Sequence, residues 1–398
     1  MPPRLESAEI LLIGGGVASA RCARMLRRRR FQGSIVLVGQ EPAAPYNRPP
    51  LSKELLRGEA SEELAMVEPP DWYSRHRVQL LTDVAVTELD VAARRVRLSD
   101  GRMIRFDRCL LATGAEPRRL LVPGGDQVHT LRTLDDAEQI RSAAQAAGLG
   151  APAVVVGGGF IGVEVAASLS ALGLRVTVLE ATSGLWGGTL GEVISGWAQG
   201  RLKEVGVDLR LDALVERIGK NGPLVGGQAL PAAVVVAGVG VAPRTGLAEE
   251  AGLTVDDGIV LDGSRAAAAG IFGAGDVARV PHPLAEGMAI RVEHWHAARE
   301  GGELAALGML GEAVPPPRAP WVYSEFAGQM LDVVGWAPDR DEERVLGDPE
   351  SGRFAVAYVR AGRVAQLALA NGFVPVEMAR AFVEARLEAS ELAQLAGA

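Results

Sequence analysis

The chain has 398 residues, of which 48% are hydrophobic and 23% charged, and its formal net charge is −8 at pH 7. This length allows two or three folded domains, and the composition is that of a globular protein rather than a disordered one. The acidic balance argues against a nucleic-acid partner. No apolar stretch reaches the roughly 18 residues that a transmembrane helix needs, so we expect no membrane span and a cytoplasmic location.

The chain contains two cysteines, Cys22 and Cys109, which are far apart in sequence. Neither belongs to a Cys-x-x-Cys pair, so the sequence disfavours both a disulfide framework and a dithiol active site. The chemistry is therefore expected to run without a reactive thiol pair.

A glycine-rich turn lies near the start of the chain, between an apolar run and a segment of helical periodicity. The apolar run is Ile10–Ile13, and the helical segment Val17–Arg30 leads to a second strand, Ser34–Val38. Glycines in this context let backbone N–H groups approach a pyrophosphate at a helix N-terminus. The basic run Arg27–Arg30 fits the last turn of that helix, and a docking patch for a small acidic protein is the alternative. The predicted pyrophosphate cradle is Gly14, Gly16, Val17 and Ala18, with Ser19 in place of a third glycine.

Alternating strands follow this first unit. Val78–Leu89 and Arg94–Leu98, with Met103–Phe106 beyond a Ser-Asp-Gly turn, predict a layer of β-hairpins. Arg108–Ala112 predicts a separate buried strand that ends at Thr113-Gly114. The chain is expected to leave the first unit there.

A second glycine-rich turn occupies the middle of the chain in the same context. A helix at Leu134–Ala147 and a strand at Ala153–Val156 precede it. A helix at Gly162–Leu172 and a strand at Arg175–Leu179 follow, and the strand Ala232–Ala237 closes this second βαβ block. One such turn is a weak signal, but two in matching context predict two dinucleotide sites in one chain. The second predicted cradle is Gly157, Gly159, Phe160, Ile161 and Gly162.

An acidic residue about 20 residues past each turn, at the end of the next strand, is expected to accept hydrogen bonds from a ribose. In the second unit this residue is Glu180, and the stretch Ala181–Thr189 has no Arg or Lys to hold a 2′-phosphate. We therefore expect NADH rather than NADPH, a solvated acid at a strand end being the alternative. In the first unit the strand ends on Gln40 and Glu41, and Glu41 is the preferred candidate.

The last third of the chain returns to the first unit and then changes in composition. Ile271–Ala278 predicts a strand that ends on an acidic turn, and His294–Leu310 predicts a helix. Pro315–Pro317 marks a boundary before a small α+β domain. The elements predicted in that domain are the strands Asp332–Gly335, Phe354–Val359 and Val364–Ala370 and the helix Pro375–Leu387.

Four groups of residues carry a resemblance that extends over nearly the whole chain. They are Pro45-Tyr46-Asn47-Arg48-Pro49-Pro50-Leu51-Ser52-Lys53, Ala112-Thr113-Gly114, Gly273-Ala274-Gly275-Asp276 and Glu293-His294-Trp295. Together and in this order they resemble the FAD-dependent, NADH-linked ferredoxin reductases of bacterial Rieske dioxygenase and cytochrome P450 systems. The resemblance implies an α/β fold of the glutathione-reductase type, with two Rossmann-type nucleotide-binding domains and a C-terminal α+β domain.

The resemblance also implies domain boundaries and cofactors. It gives an FAD-binding domain at residues 1–113 and 241–314, an inserted NAD-binding domain at 114–240 and a C-terminal domain at 315–398. FAD would be resident at the first turn, and NAD(H) would bind at the second. Beyond the turns, the implied cofactor contacts are Arg48, Lys53, Val86, Thr113, Gly114, Arg132, Gly240, Gly275, Asp276, Val292 and Trp295.

Several of these residues have an implied role at the flavin. Asp276 would meet a ribityl hydroxyl, a helix N-cap being the alternative, and Trp295 would lie beside the flavin pyrimidine at a helix N-terminus. Lys53 is similar to a lysine at the reactive edge of the flavin and Glu164 to its partner, so these two are the candidate catalytic residues. Tyr323 departs from the family, which often has tryptophan there; its ring either covers the flavin edge or is a plain core aromatic.

The implied reaction passes electrons from NADH through FAD to a [2Fe–2S] ferredoxin, a small acidic protein that feeds an oxygenase. A nicotinamide gives two electrons as hydride and an iron–sulfur protein takes one at a time, and a flavin bridges the difference. The alternatives are an NADH-dependent rubredoxin reductase, a nitrite-reductase-type flavin module and an apoptosis-factor-like flavoprotein that senses redox state. The sequence identifies neither the particular ferredoxin nor the oligomeric state.

Replacing Glu180 with alanine removes the carboxylate that repels a 2′-phosphate and accepts from a ribose diol. The Glu180→Ala variant is expected to show a smaller ratio of kcat/KM for NADH to kcat/KM for NADPH. Steady-state oxidation of both nucleotides measures this ratio, and an unchanged ratio removes Glu180 from the role.

Overall fold

The structure is a computed structural model, and it describes residues 5–396. Its strands are β1 (Leu5–Ile13), β2 (Ile35–Val38), β3 (Val78–Leu81), β4 (Val86–Asp90), β5 (Arg95–Leu98), β6 (Met103–Leu111), β7 (Ala115–Pro117), β8 (His129–Thr130), β9 (Pro152–Val156), β10 (Arg175–Leu179), β11 (Asp208–Arg210), β12 (Val215–Gly219), β13 (Gly222–Val225), β14 (Gln228–Ala229), β15 (Val234–Ala237), β16 (Val241–Pro243), β17 (Ile259–Val260), β18 (Ala266–Ala268), β19 (Ile271–Gly273), β20 (Ala278–Pro281), β21 (Ala289–Arg291), β22 (Trp321–Phe326), β23 (Gln329–Gly335), β24 (Glu342–Asp348), β25 (Arg353–Arg360) and β26 (Arg363–Ala370). Its helices are α1 (Val17–Arg28), α2 (Glu54–Arg57), α3 (Glu62–Ala65), α4 (Trp72–Arg75), α5 (Leu134–Ala147), α6 (Phe160–Ala171), α7 (Gly191–Glu204), α8 (Gly246–Glu250), α9 (Trp295–Leu310), α10 (Val376–Glu384) and α11 (Ala393–Ala396).

The chain divides into two compact units, each assembled from three separate stretches of sequence. The first unit comprises the chain up to Asn47, Glu63–Glu116 and Pro243–Pro320. The second comprises Arg48–Glu62, Pro117–Ala242 and the chain from Trp321 onward.

The core of the first unit is a parallel sheet in the order β3-β2-β1-β6-β19, with β18 added antiparallel at its edge. Successive residues of β1 point to opposite faces of the sheet. Ile10 and Leu12 belong to the apolar layer that includes α1 and α9, and Leu11 and Ile13 belong to the layer on the other face. All four side chains are buried, which explains why the strand reads as a continuous apolar run.

Strand β6 shows that one sequence prediction is wrong. The segments Met103–Phe106 and Arg108–Ala112, predicted as separate strands, form one strand that pairs with β1 along its length, while its first part also pairs with β5. The predicted strand Val78–Leu89 is instead divided, and Asp83 between its halves has a left-handed φ of 56°. As a result β3 joins the parallel sheet beside β2, and only β4 pairs with β5 in a hairpin.

The second unit contains a parallel sheet in the order β11-β10-β9-β15-β8 and an antiparallel sheet in the order β22-β23-β26-β25-β24. The predicted helix Leu134–Ala147 is confirmed with the same bounds. It begins at a capping box, because Thr133 Oγ1 accepts from the backbone N–H of Asp136 at 3.1 Å and the Asp136 carboxylate accepts from that of Thr133 at 2.8 Å. The sequence did not predict β22 or β24, the second of which is largely exposed and polar.

Helices α1 and α9 of the first unit pack backbone against backbone. A Cβ atom added to Gly302 in α9 would lie 2.1 Å from the carbonyl oxygen of Ala18 in α1, so only glycine fits there. Ala18 is the second residue of the helix that follows the first glycine turn. This contact therefore fixes the direction of the helix at the first predicted dinucleotide site.

We expect Gly302→Ala to be destabilising, because the added methyl group forces α1 and α9 apart. Overpacking of this kind costs about 1–3 kcal/mol of unfolding free energy. Gly200 in α7 is the matched control, since no atom lies within 4 Å of a Cβ placed there. Gly200→Ala is expected to keep or raise the melting temperature, and equal melting temperatures for the two variants would contradict the packing argument.

Candidate functional site

The first glycine turn lies at the carboxyl end of β1, between β2 and β6. Gly14 has a φ of +118°, and its N–H donates to the carbonyl of Val38 at 2.8 Å. A Cβ on Gly14 would lie 2.0 Å from the carbonyl oxygen of Ala112, at the end of β6. The connections from β1 and β6 leave in opposite directions along the sheet at this point, which is where α/β sheets form ligand crevices.

The second glycine turn is built in the same way at the end of β9. Gly157 has a φ of +103°, and its N–H donates to the carbonyl of Leu179 at 2.8 Å. A Cβ on Gly157 would lie 2.5 Å from the carbonyl oxygen of Gly238, just after β15. A Cβ on Gly162 would lie 1.9 Å from the carbonyl oxygen of Gly157, so the helix starts directly against the turn. The two turns are equivalent in strand order and in hydrogen bonding.

Each turn opens a helix whose first N–H groups have no acidic neighbour in the first turn. Gly16 is the N-cap of α1 and Gly159 the N-cap of α6, and neither helix has a capping side chain. Such N–H groups and the helix dipole bind phosphate oxygens. The geometry at both turns therefore fits a dinucleotide diphosphate, and Val17, Phe160 and Ile161 are the first helical residues there.

The acid at the end of β10 is held in place by the glycine turn itself. Glu180 is buried, and its Oε2 accepts from the backbone N–H of Gly158 at 2.6 Å. Its Oε1 accepts from the N–H and the hydroxyl of Thr182 at 2.9 and 2.8 Å. A carboxylate has room for further donors, so this arrangement leaves acceptor capacity for a ribose hydroxyl.

The corresponding position of the first unit differs. Glu41 accepts a hydrogen bond from the hydroxyl of Tyr46 at 2.5 Å, whereas Gln40 is exposed. Glu41 is thus tied to the Pro45–Lys53 motif identified from sequence.

The remaining predicted flavin contacts of the first unit lie at strand ends and turns. Thr113 donates its hydroxyl to the carbonyl of Arg244 at 2.7 Å, and Gly114 and Gly275 adopt left-handed φ angles of 71° and 79°. Asp276 follows β19 and precedes a strand, so the helix N-cap considered for it is wrong. Val86 begins β4, and Val292 lies between β21 and α9.

Trp295 is the first residue of α9, with His294 as the N-cap. Its indole N–H donates to Oδ1 of Asn47 at 2.8 Å. Burial lowers the pKa of His294 from its ordinary value, against the opposing effect of Asp276. The lowered pKa favours the neutral imidazole, and the helix dipole adds positive potential at this end of α9.

In the second unit the structure brings Arg48 and Arg132 together. The guanidinium of Arg48 donates to the backbone carbonyl of Arg132, whose own N–H donates to Asp136 at 2.9 Å. Gly240 has a φ of +95° and accepts from the N–H of Arg118 at 2.9 Å.

Lys53 and Glu164 form a buried ion pair in the second unit. Lys53 Nζ lies 2.6 Å from Oε2 of Glu164, and the two side chains are 5% and 4% exposed. Lys53 Nζ also donates to the carbonyl of Pro49 at 3.1 Å. The predicted pairing of these residues is present, and burial on both sides places it among the interactions whose removal is costly.

Two serines complete the environment of Glu164, and the sequence did not predict them in this role. Ser324 in β22 donates to Oε1 at 2.8 Å, and Ser52 donates to Oε2. Ser52 belongs to the Arg-Pro-Pro-Leu-Ser-Lys motif, but no local pattern marks Ser324, which is 160 residues from Glu164. Three donors from two chain segments therefore hold one carboxylate.

Tyr323 lies beside this cluster, with Lys53 Nζ 5.8 Å from the centre of its ring. Burial, with a contribution from Glu164, raises the pKa of Tyr323 to about 12. The phenol therefore stays protonated at neutral pH.

Both cysteines lie in the core of the first unit. Cys22 and Cys109 are fully buried, and burial raises the pKa of each thiol far above its ordinary value. Among residues 5–396 no cluster of three or more His, Cys, Asp or Glu side chains is arranged to hold a metal ion, and no helix is long and apolar enough to cross a membrane.

Comparison with known proteins agrees with this arrangement. The chain is 36% identical to the ferredoxin–NAD(+) reductase component of the biphenyl dioxygenase system of Paraburkholderia xenovorans, over 86% of this chain and 85% of that protein. It is also 36% identical to the corresponding component of the p-cumate 2,3-dioxygenase system of Pseudomonas putida, over 96% and 94%. Among solved structures, a chain of the covalent putidaredoxin reductase–putidaredoxin complex superposes with a TM-score of 0.89 at 32% identity, covering 96% of this chain and 94% of that one.

Two Rossmann-type sheets, each with a glycine turn at its switch point, define a two-dinucleotide oxidoreductase that uses FAD and NAD(H). The model of the pyridine nucleotide-disulphide oxidoreductase family matches residues 8–302. The chain belongs to this family, and the α/β fold expected from the sequence is confirmed.

We expect Glu164→Ala to lower the free energy of unfolding by about 3–5 kcal/mol, because it leaves the Lys53 ammonium buried without a charged partner. The double variant Lys53→Met, Glu164→Leu removes both charges. It is expected to lose less unfolding free energy than Glu164→Ala. Denaturant unfolding followed by tryptophan fluorescence measures both losses. A double variant as unstable as Glu164→Ala shows that packing, rather than the stranded charge, dominates.

Proposed function

We propose that this protein passes electrons from NADH through bound FAD to a [2Fe–2S] ferredoxin that feeds an oxygenase, either a Rieske dioxygenase or a cytochrome P450. The observation that carries the proposal is the presence of two equivalent dinucleotide turns, one in each unit, in a chain without an available thiol. The relatives named as ferredoxin–NAD(+) reductase components support the choice of acceptor.

FAD is assigned to the first unit, in which Gly14, Gly16 and the N-terminus of α1 would bind its pyrophosphate. Bound FAD supplies an acceptor for hydride that hands on its electrons singly. Asp276 would accept from a ribityl hydroxyl, and the N-terminus of α9 at Trp295 would stabilise negative charge on the isoalloxazine ring. The domain boundaries given from the sequence, with the FAD-binding domain at 1–113 and 241–314, belong to the same proposal.

NADH is assigned to the second unit. Gly157, Gly159 and the N-terminus of α6 would bind its pyrophosphate, and Glu180 would accept from the adenosine ribose. The proposed preference for NADH over NADPH rests on the position of Glu180 and on the absence of Arg and Lys from Ala181–Thr189.

Lys53 and Glu164 are proposed to act at the flavin, as the family resemblance implies. The ammonium of Lys53 would stabilise negative charge that develops there during hydride transfer. Glu164 holds that ammonium through the 2.6 Å ion pair, and Ser52 and Ser324 fix the orientation of the carboxylate. Because these donors leave the Glu164 carboxylate little freedom to move, the Lys53 ammonium is positioned before the nucleotide binds.

A route through sulfur is not part of the proposal, since the two thiols are buried and their raised pKa values disfavour the thiolate. Both cysteines are free, which fits the proposed cytoplasmic location because free thiols persist in a reducing compartment.

The proposal is tested by stopped-flow reduction of the FAD-loaded protein with NADH, followed by mixing with a panel of [2Fe–2S] ferredoxins and with a rubredoxin. We expect at least one ferredoxin to accelerate turnover at least tenfold above the oxygen background, about 1.4 kcal/mol in activation free energy. Acceleration by rubredoxin alone identifies a rubredoxin reductase. A long-lived charge-transfer complex with NADH and no acceleration by any acceptor identifies a redox sensor, and either result overturns the proposal.

A further inference from the structure

The segment Leu185–Gly191, here called the strap, connects the region after Glu180 to α7 in the second unit. It contains a short 3-10 turn at Leu185–Gly188. The strap follows the strand that carries the proposed ribose acid, and contacts at its two ends hold it to different parts of the unit.

One end of the strap is bound to the second glycine turn. The backbone N–H of Trp186 donates to the carbonyl of Gly158 at 2.8 Å. Leu185 is fully buried, and its Cδ2 lies only 2.8 Å from where a Cβ on Gly158 would be. The N–H of Gly158 donates to Glu180, just before the strap. Both backbone polar groups of Gly158, its N–H and its carbonyl, are therefore hydrogen-bonded.

The backbone of the strap adopts a conformation that is unfavourable for its sequence. Trp186 has left-handed angles of φ 59° and ψ 23°, which a bulky side chain rarely adopts. Such a conformation persists only where the surroundings hold it. Its indole ring is buried, with ring centres 5.8 Å from Phe160 at the start of α6 and 6.1 Å from Phe326 in β22.

The other end of the strap is held by Arg340, in the connection before β24, and by Tyr358 in β25. Arg340 Nη2 and Nη1 donate to the carbonyls of Gly188 and Thr189 at 3.0 and 3.1 Å. The hydroxyl of the buried Tyr358 donates to the carbonyl of Leu190 at 2.7 Å. Three consecutive carbonyls of the strap are thus bound by two side chains about 150 or more residues away in sequence.

Arg340 is itself fixed by its neighbours. Its Nε donates to Oε1 of Glu343 at 2.6 Å, and its guanidinium carbon lies 5.1 Å from the centre of the Tyr358 ring. A guanidinium held by a carboxylate and an aromatic face presents its remaining donors in a fixed direction. Arg340 and Tyr358 therefore contact each other as well as the strap, and this pair is here called the clasp.

We propose that Arg340 and Tyr358 are positioning residues for NADH, which hold the strap so that Trp186 and Leu185 keep the Gly158 peptide ordered for the pyrophosphate. This inference rests on the proposed function, because it takes the second glycine turn as the NADH site. Without the clasp, the left-handed conformation at Trp186 relaxes and the turn becomes mobile. Ordering the turn again then opposes nucleotide binding.

The experiment compares the FAD-loaded Arg340→Met, Arg340→Lys and Tyr358→Phe variants with the native protein. We expect Arg340→Met to raise the KM for NADH about five- to tenfold, the low end of measured coupling between sites, with kcat at saturating NADH within twofold. Arg340→Lys keeps one cationic donor, so its KM for NADH is expected to lie between those of the native protein and Arg340→Met. Tyr358→Phe is expected to raise the same KM without changing the KM for ferredoxin.

The matched control is Arg353→Met. Arg353 is the first residue of β25, the strand that carries Tyr358, and its guanidinium also donates to two backbone carbonyls, those of Gly372 and Phe373, at 3.4 Å, away from the strap. Its removal is expected to leave the KM for NADH unchanged. If Arg340→Met and Arg353→Met have the same KM for NADH, the positioning role is wrong and the clasp only stabilises the sheet.

Titration with NAD⁺, followed by tryptophan fluorescence, gives a second readout that does not depend on turnover. The dissociation constant is expected to rise for Arg340→Met and Tyr358→Phe by the same factor as the KM. If the native protein binds NAD⁺ but reduces no ferredoxin, the proposed function fails while this titration still decides the inference. Unchanged dissociation constants in both variants, with native FAD content and melting temperature, overturn the inference alone.

Discussion

Both dinucleotide sites depend on one steric constraint, the passage of a carbonyl oxygen from a neighbouring strand end across the first glycine of each turn. Ala112 supplies this oxygen for Gly14 and Gly238 supplies it for Gly157, and a side chain at either glycine would overlap it. The strand order, and not the turn alone, therefore creates each site. It leaves the N-termini of α1 and α6 facing the crevice with their N–H groups available to phosphate oxygens.

The proposed chemistry depends on one buried carboxylate. Glu164 accepts from Lys53, Ser52 and Ser324. The ammonium of Lys53 balances its charge, and the two hydroxyl groups fix its orientation. A buried ion pair of this kind adds less to stability than its Coulomb attraction suggests, because both charges lose water. Under the proposed function, its advantage is that a positioned charge needs no reorganisation when the reaction occurs.

The sequence predicted the features that local patterns encode. Helix α5 has the predicted bounds because the box at Thr133 and Asp136 specifies its start, and β10 was predicted fully from its apolar run before Glu180. The long strand β6 was divided in the prediction because Asp107 and Arg108 interrupt its apolar residues, although β1 pairs with it across that point. Ser324 and Arg340 could not be predicted, because their partners lie 160 and about 150 residues away and no spacing rule links them.

The way the chain alternates between the two units has a consequence for biosynthesis. Six stretches of sequence contribute to two units, so the chain passes from one to the other five times. The central strand β1 is among the first residues made, but β19, which completes its sheet, begins only at Ile271. A ribosome adding roughly 5–20 residues per second takes many seconds to reach it. Until then the edge of β6 that binds β19 stays unpaired. A nascent chain of this protein therefore exposes an aggregation-prone strand edge for longer than a protein with sequential domains does.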